Sequence, residues 1–150
     1  MKVEVVQGSL TDGDESVLVN ASNTGARLGS GVSHAIRVAC GPAFQGHLNR
    51  ELERLKGGDM EPGDLFVSHA GDHPHAKHVV HAAVMDYRDG ISFAQVAPDE
   101  ARIRTLCERL WPAIEAIEGG PHSVAMVALG GGTGGLGVRM PTEVACETLK

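Results

Sequence analysis

The stretch VLVNASNTGARLGSGVSHAI, residues 17–36, constrains the fold more than any other part of the chain. It opens as a continuous β-branched run, the pattern of a strand buried on both faces of a sheet. It then passes through Asn20, Asn23 and the glycines of residues 25–31, and from Val32 its apolar residues take helical spacing. Strand, glycine turn and helix in direct succession are the building unit of an α/β fold. The first turn of such a helix has free N–H groups and the positive end of the helix dipole, which together attract an anion. Gly29, Ser30 and Gly31 leave that helix start open to a ligand. The loop is no Walker A, because no Gly-Lys-Ser/Thr follows, and it is no clean GxGxxG. A glycine turn before a helix also serves as a bare tight turn, so these residues alone leave phosphate binding and a purely structural turn open.

Along the rest of the chain, KVEVVQ alternates well enough to predict an N-terminal strand. AFQGHLNRELERL places Phe44, Leu48, Leu52 and Leu55 on one helical stripe, which KGGDMEPG ends. DLFVSHA and KHVVHAAV predict two strands around the turn GDHPHA. A long helix begins at Pro98-Asp99, keeps Ile103, Leu106, Leu110, Ile114 and Ile117 on one side, and has Pro112 as a point of kinking. SVAMVAL predicts a further buried strand running into a second glycine loop, GGGTGGLG, after which Pro141 opens a terminal helix. Strands alternating with helices predict an α/β sandwich around a substantially parallel sheet. Ligands of such folds sit at the carboxyl ends of the strands, where both glycine loops fall as two walls of one cleft.

One domain, residues 1–150, is expected, since 150 residues at 42% hydrophobic supply a single core. With 19 acidic against 13 basic residues the net charge is -6, which argues against broad attraction to nucleic acid or to an anionic membrane. Cys40, Cys107 and Cys146 form no CxxC pair and read as thiols of a reducing compartment. The opening residues do not read as a leader, and no window approaches 18 apolar residues, so a soluble cytoplasmic protein is expected. His69, His73, His75, His78 and His81 fit neither a zinc finger nor HExxH, so a polar turn is expected there and no metal site. Phe44 and Trp111 read as core and Cys40 as buried packing, while Tyr87 reads either as a loop aromatic covering the core edge or as one that approaches a ligand from the rim.

The string VNASNTGARLGSGVSHAI resembles the signature of the macrodomain family: a VNAAN-like strand end, a glycine loop, and a helix beginning GVxxAI. VEVVQGSLT resembles the family's opening strand and GDIT turn. PGDLFVSHAGDHPHAKHVVHAAV resembles its pair of strands before the long helix, and SVAMVALGGGTGGLG its second phosphate loop. The resemblance runs in order over nearly all of the chain. It implies a three-layer α/β/α sandwich with a mixed, largely parallel sheet that binds ADP-ribose without a cofactor, the diphosphate lying between the glycine loops. Some members remove ADP-ribose from proteins or deacetylate O-acetyl-ADP-ribose. Carried onto this chain, the resemblance puts Ser9 and Leu10 at the adenine and Asn23 at the distal ribose. It puts Gly29, Ser30, Gly31, Val32, Ser33, Gly131, Gly132, Thr133, Gly134, Gly135 and Leu136 around the diphosphate. Asn20 matches a residue that braces the loop, or is a strand-end residue satisfying backbone groups.

Departures from the pattern bear on function. Ser9 stands where an aspartate accepts the adenine amino group, and a hydroxyl is the weaker acceptor. Ser33 stands where the hydrolytic branch has an aspartate that handles water, and a serine without an attached base cannot replace it. His34 is its neighbour but points about 100° away around the helix. Gly134 stands where an aromatic shields the distal ribose. Relative to the family, the last strand and helix are missing, so either the sheet closes up without that strand or an edge is left unpaired, and an unpaired edge invites a homodimer or strand exchange. The expected function is therefore binding of ADP-ribose or a derivative, either O-acetyl-ADP-ribose or an ADP-ribosylated protein. The alternatives are a hydrolase of these compounds, using water held on the diphosphate or His34 as base, and an interaction module that binds no nucleotide.

Overall fold

The computed structural model describes residues 2–29, 31–88, 97–132 and 134–149. In chain order its elements are β1 (Val17–Asn23), α1 (Gly31–Cys40), α2 (Phe44–Lys56), β2 (Leu65–His69), β3 (His78–Met85), α3 (Glu100–Glu115), β4 (Val124–Ala125) and α4 (Arg139–Leu149). The sheet runs β2-β3-β1-β4. β1 is parallel to both β3 and β4, and β2 is antiparallel to β3, so the sheet is mixed and largely parallel, as expected.

β1 and β3 are buried at nearly every position because both faces of the sheet are covered. Val17 and Val19 of β1 and Val80, Ala82 and Val84 of β3 face a core closed by Ile103, Leu106 and Leu110 of α3 and Val144 of α4. Leu18, Val79 and Ala83 face the opposite way, against Ile36 and Cys40 of α1 and Phe44, Leu48 and Leu52 of α2. Two helices therefore lie on each face, giving three layers. Asp99 caps α3 by accepting the Arg102 N–H at 2.9 Å, and the helix continues through Pro112 to Glu115. Gly57, at φ 72°, ends α2 in the left-handed conformation that suits glycine. Leu55, expected on the buried stripe of α2, is 46% exposed. Its angle on the helix matches the stripe, so it is the position in the last turn that leaves it outside.

The N-terminal strand expectation is not met. Residues 2–7 form no strand, and Val3, Val5 and Val6 are 64%, 94% and 79% exposed. A strand exists through a neighbour's backbone hydrogen bonds, and among the described residues the sheet has no strand beyond β4 for this segment to join. SVAMVAL likewise contributes only Val124 and Ala125, paired to Val17 and Leu18. With one neighbour instead of two, the segment leaves the ladder before it reaches the glycine loop.

Candidate functional site

A cleft of about 200 Å³ opens between the two glycine loops. Gly31 and Val32 form one wall, Gly130, Gly132 and Gly134 the other, and Ala21, Val84 and Met85 reach it from the ends of β1 and β3. The floor is apolar, the walls are backbone, and among the described residues no charged side chain is in the lining. α1 starts at this cleft with no acidic residue in its first turn. The N–H groups of Gly31, Val32 and Ser33 therefore have no partner one turn earlier in their own helix, and the helix dipole adds to them. Gly31 sits at φ 57°, which suits glycine.

The first loop is held by amide side chains. Asn23 Nδ2 donates to the Arg27 carbonyl and Asn23 Oδ1 accepts the Arg27 N–H, both at 3.0 Å. From α2, Gln45 Oε1 accepts the Leu28 N–H at 2.7 Å and Nε2 donates to the Ala26 carbonyl at 3.0 Å. These contacts hold buried Ala26 at φ 50°, an unfavourable angle for a residue with a side chain. Gln45 was not recognisable from the sequence, since one polar residue beside an apolar helical stripe gives no local signal of its partner 17 residues away.

Asn20 does not brace this loop. It is fully buried and links α1 to the sheet: Ser33 Oγ donates to Asn20 Oδ1 at 3.0 Å. With Oδ1 so occupied, Asn20 Nδ2 donates to His81 Nδ1 at 3.3 Å, and His81 Nε2–H donates to Ser68 Oγ at 2.9 Å. The Ser68 hydroxyl passes its hydrogen to the His69 carbonyl at 2.9 Å. This direction requires a neutral imidazole, and complete burial pushes the His81 pKa down to about 3. Ser33 hands its hydrogen to an amide oxygen, which is no base, so the line does not generate a serine nucleophile. The loop-bracing role that the resemblance matched to Asn20 thus belongs to Asn23, and Asn20, at the strand end as the other reading had it, bonds the Ser33 and His81 side chains instead of backbone groups. One-turn reach explains the exchange: Asn23 stands four residues before Arg27, whereas Asn20 points into the sheet–helix interface.

Several expected phosphate donors are used inside the loops. Gly29 N–H bonds Arg27 O at 3.1 Å, and Gly131, Gly135 and Leu136 bond Ala128, Gly132 and Gly130 carbonyls at 3.0 Å each. These residues shape the turns, and the groups that line or open onto the cleft come from Gly31, Val32, Gly132 and Gly134. Ser30 and Thr133 lie outside the described residues. A Cβ on Gly134 would stand 2.7 Å from Gly130 O and 2.8 Å from Gly130 Cα, so this loop has no room for the aromatic that the resemblance led one to look for. Ser9 does not line the cleft. Its hydroxyl lies 3.2 Å from Thr11 Oγ1 and accepts the Thr11 N–H at 3.4 Å, while Leu10 packs on the α1 and α2 core. That turn is tied down by His73, which donates from Nε2 to Thr11 O at 2.9 Å and accepts the Ala76 N–H on Nδ1 at 2.9 Å. Cys40 is no nucleophile: burial first, and then the Asp72 charge, push its thiol up to about 11. Among the described residues no three His, Cys, Asp or Glu side chains converge on a metal position.

Residues 19–145 match the family model described as Macro domain. The chain is 28% identical over its whole length to a macro domain-containing protein of Listeria monocytogenes serotype 4b, covering 80% of that protein. It is 30% identical over 99% of its length to an O-acetyl-ADP-ribose deacetylase of Cronobacter turicensis, covering 78% of it. Among solved structures, a mutant Oceanobacillus iheyensis macrodomain with ADPR superimposes at a TM-score of 0.75, with 19% identity, over 95% of this chain and 73% of that one. The strand–glycine loop–helix signature, the cleft between the two loops and the match over most of the sequence agree, and the chain belongs to the Macro domain family.

Proposed function

We propose that the protein binds ADP-ribose or an ADP-ribose derivative, O-acetyl-ADP-ribose or an ADP-ribosylated protein, with the diphosphate between the glycine loops. The observation that carries this reading is a cleft walled by the start of α1, Gly31 and Val32, and by Gly132 and Gly134 of the second glycine loop, with no charged side chain among the described lining residues. Phosphate oxygens are the acceptors such a helix start and nest favour. A cleft of about 200 Å³ receives the diphosphate and leaves the adenosine and the distal ribose to its rims. The ligand carried by the Oceanobacillus structure and the name of the Cronobacter relative support the same ligand class. The cytoplasm is the compartment that fits three free thiols and the absence, among the described residues, of a helix long and apolar enough to cross a membrane.

The second reading, a hydrolase of O-acetyl-ADP-ribose or of ADP-ribosylated protein, is favoured by the deacetylase among the relatives. It asks for a water held on the diphosphate or for His34 as base, because the Ser33 hydroxyl is committed to Asn20. Calorimetric titration with ADP-ribose, with AMP as control, tests the binding reading. Micromolar affinity, about -8 kcal/mol, with much weaker AMP binding is the expected result. No heat from a protein that melts cooperatively overturns it in favour of an interaction module.

A further inference from the structure

The first glycine loop has a cavity on each side. Gly31 and Val32 face the narrow cleft, while Gly29, two residues earlier and so within about 7 Å of chain, faces an open groove of about 550 Å³. The buried side chains of Leu28 and Leu52 form the floor of this groove. Its charged rim is drawn from separate segments: Arg27 from the loop, Arg37 from α1, Glu53 from α2 and Asp59 from the turn that follows. All four are exposed, and among the described residues none of them takes part in an ion pair. Asn49 stands between them, its Oδ1 accepting from Gln45 at 2.9 Å and its amide hydrogens turned to no protein acceptor.

The lining selects the chemistry of the occupant. Among the described residues the lining has no aromatic side chain for a nucleobase to stack on, and Glu53 and Asp59 oppose a second phosphate. The groove is open and does not enclose a small molecule. Charges of both signs, a free amide and an apolar floor suit an extended polypeptide of mixed charge, whose backbone meets Asn49 and whose acidic and basic side chains meet Arg37 and Glu53.

We propose that this groove binds the polypeptide flanking an ADP-ribosylated side chain, so that the protein reads a modified protein in preference to free ADP-ribose. The proposal rests on the nucleotide reading of the neighbouring cleft. The groove and the cleft flank the first glycine loop, Gly29 on one side and Gly31 and Val32 on the other, so a polypeptide attached to a nucleotide in the cleft has this groove as a neighbouring surface, and two weak contacts on one molecule then reinforce each other.

The test compares three probes by calorimetry: free ADP-ribose, a peptide of mixed charge carrying one ADP-ribosyl group, and the same peptide unmodified. Each is titrated into the wild-type protein and into Arg37→Glu and Glu53→Lys, exposed helix positions outside the nucleotide cleft. The expected result is that the modified peptide binds about tenfold or more tighter than ADP-ribose, and that each variant weakens the peptide by about three- to tenfold while leaving ADP-ribose unchanged. Equal affinity for peptide and ADP-ribose, with no effect of either variant, overturns the groove proposal and leaves the nucleotide reading intact. Absence of any ADP-ribose binding overturns the nucleotide reading and the groove proposal with it. A variant that lowers ADP-ribose affinity as much as peptide affinity also counts against the groove, and matching melting curves separate that outcome from misfolding.

Discussion

His81 is the residue on which most of the buried polar chemistry turns. It receives one hydrogen bond from Asn20 and donates one to Ser68, and through Asn20 it reaches the first turn of α1. The arrangement holds only while the ring is neutral. Its folded pKa, about 3, lies below the ordinary value of 6.5, so in between the unfolded chain binds a proton that the folded chain refuses. Stability therefore falls as pH falls from 6.5 toward 3, by about 1.4 kcal/mol per pH unit from this residue alone. His47 and His78 are also shifted down, mainly by burial, and act in the same direction. Urea denaturation at pH 7.5 and at pH 5 measures the effect: the account expects a clear loss at pH 5, and equal stability contradicts it. The sequence places His81 in the predicted strand KHVVHAAV but gives no sign of its role, because a strand histidine shows its partners only when Asn20 and Ser68 have been brought beside it.

At the scale of elements, periodicity located the helices and the inner strands, since buried faces leave a repeating record in the chain. It failed at the edge of the sheet. KVEVVQ has the composition of a strand and pairs with nothing, and SVAMVAL enters the sheet for two residues. Composition states a preference for extended backbone, whereas pairing depends on a neighbour that local sequence does not reveal. The glycine loops were legible as loops, but which N–H groups they keep for themselves depends on turn geometry set by Asn23, Gln45 and the close approach of Gly134 to Gly130. Among the described residues β4 is an edge of the sheet, and Val3, Val5 and Val6 are exposed on the same chain. An edge of this kind favours association with a second copy. Light scattering across a concentration series is expected to show a reversible dimer that Val5→Lys weakens. A monomer at all concentrations contradicts that expectation.

For the whole molecule, the sheet divides labour between its faces. One face, closed by α3 and α4, is apolar core. The other packs α1 and α2, whose side chains also tether the first glycine loop and frame the wide groove. Stability and recognition thus meet in the loop from Asn23 to Val32, which is held from inside by amides and offers its backbone outward. The central claim is that this loop and the second glycine loop grip one diphosphate. Backbone amide NMR during titration with ADP-ribose tests it most directly. The account predicts that the amides of Gly31, Val32, Gly132 and Gly134 shift first and furthest, with those of Gly131 and Gly135, which are bonded within their turn, moving less. Shifts centred away from both loops, or none at saturating ADP-ribose in a folded protein, contradict it.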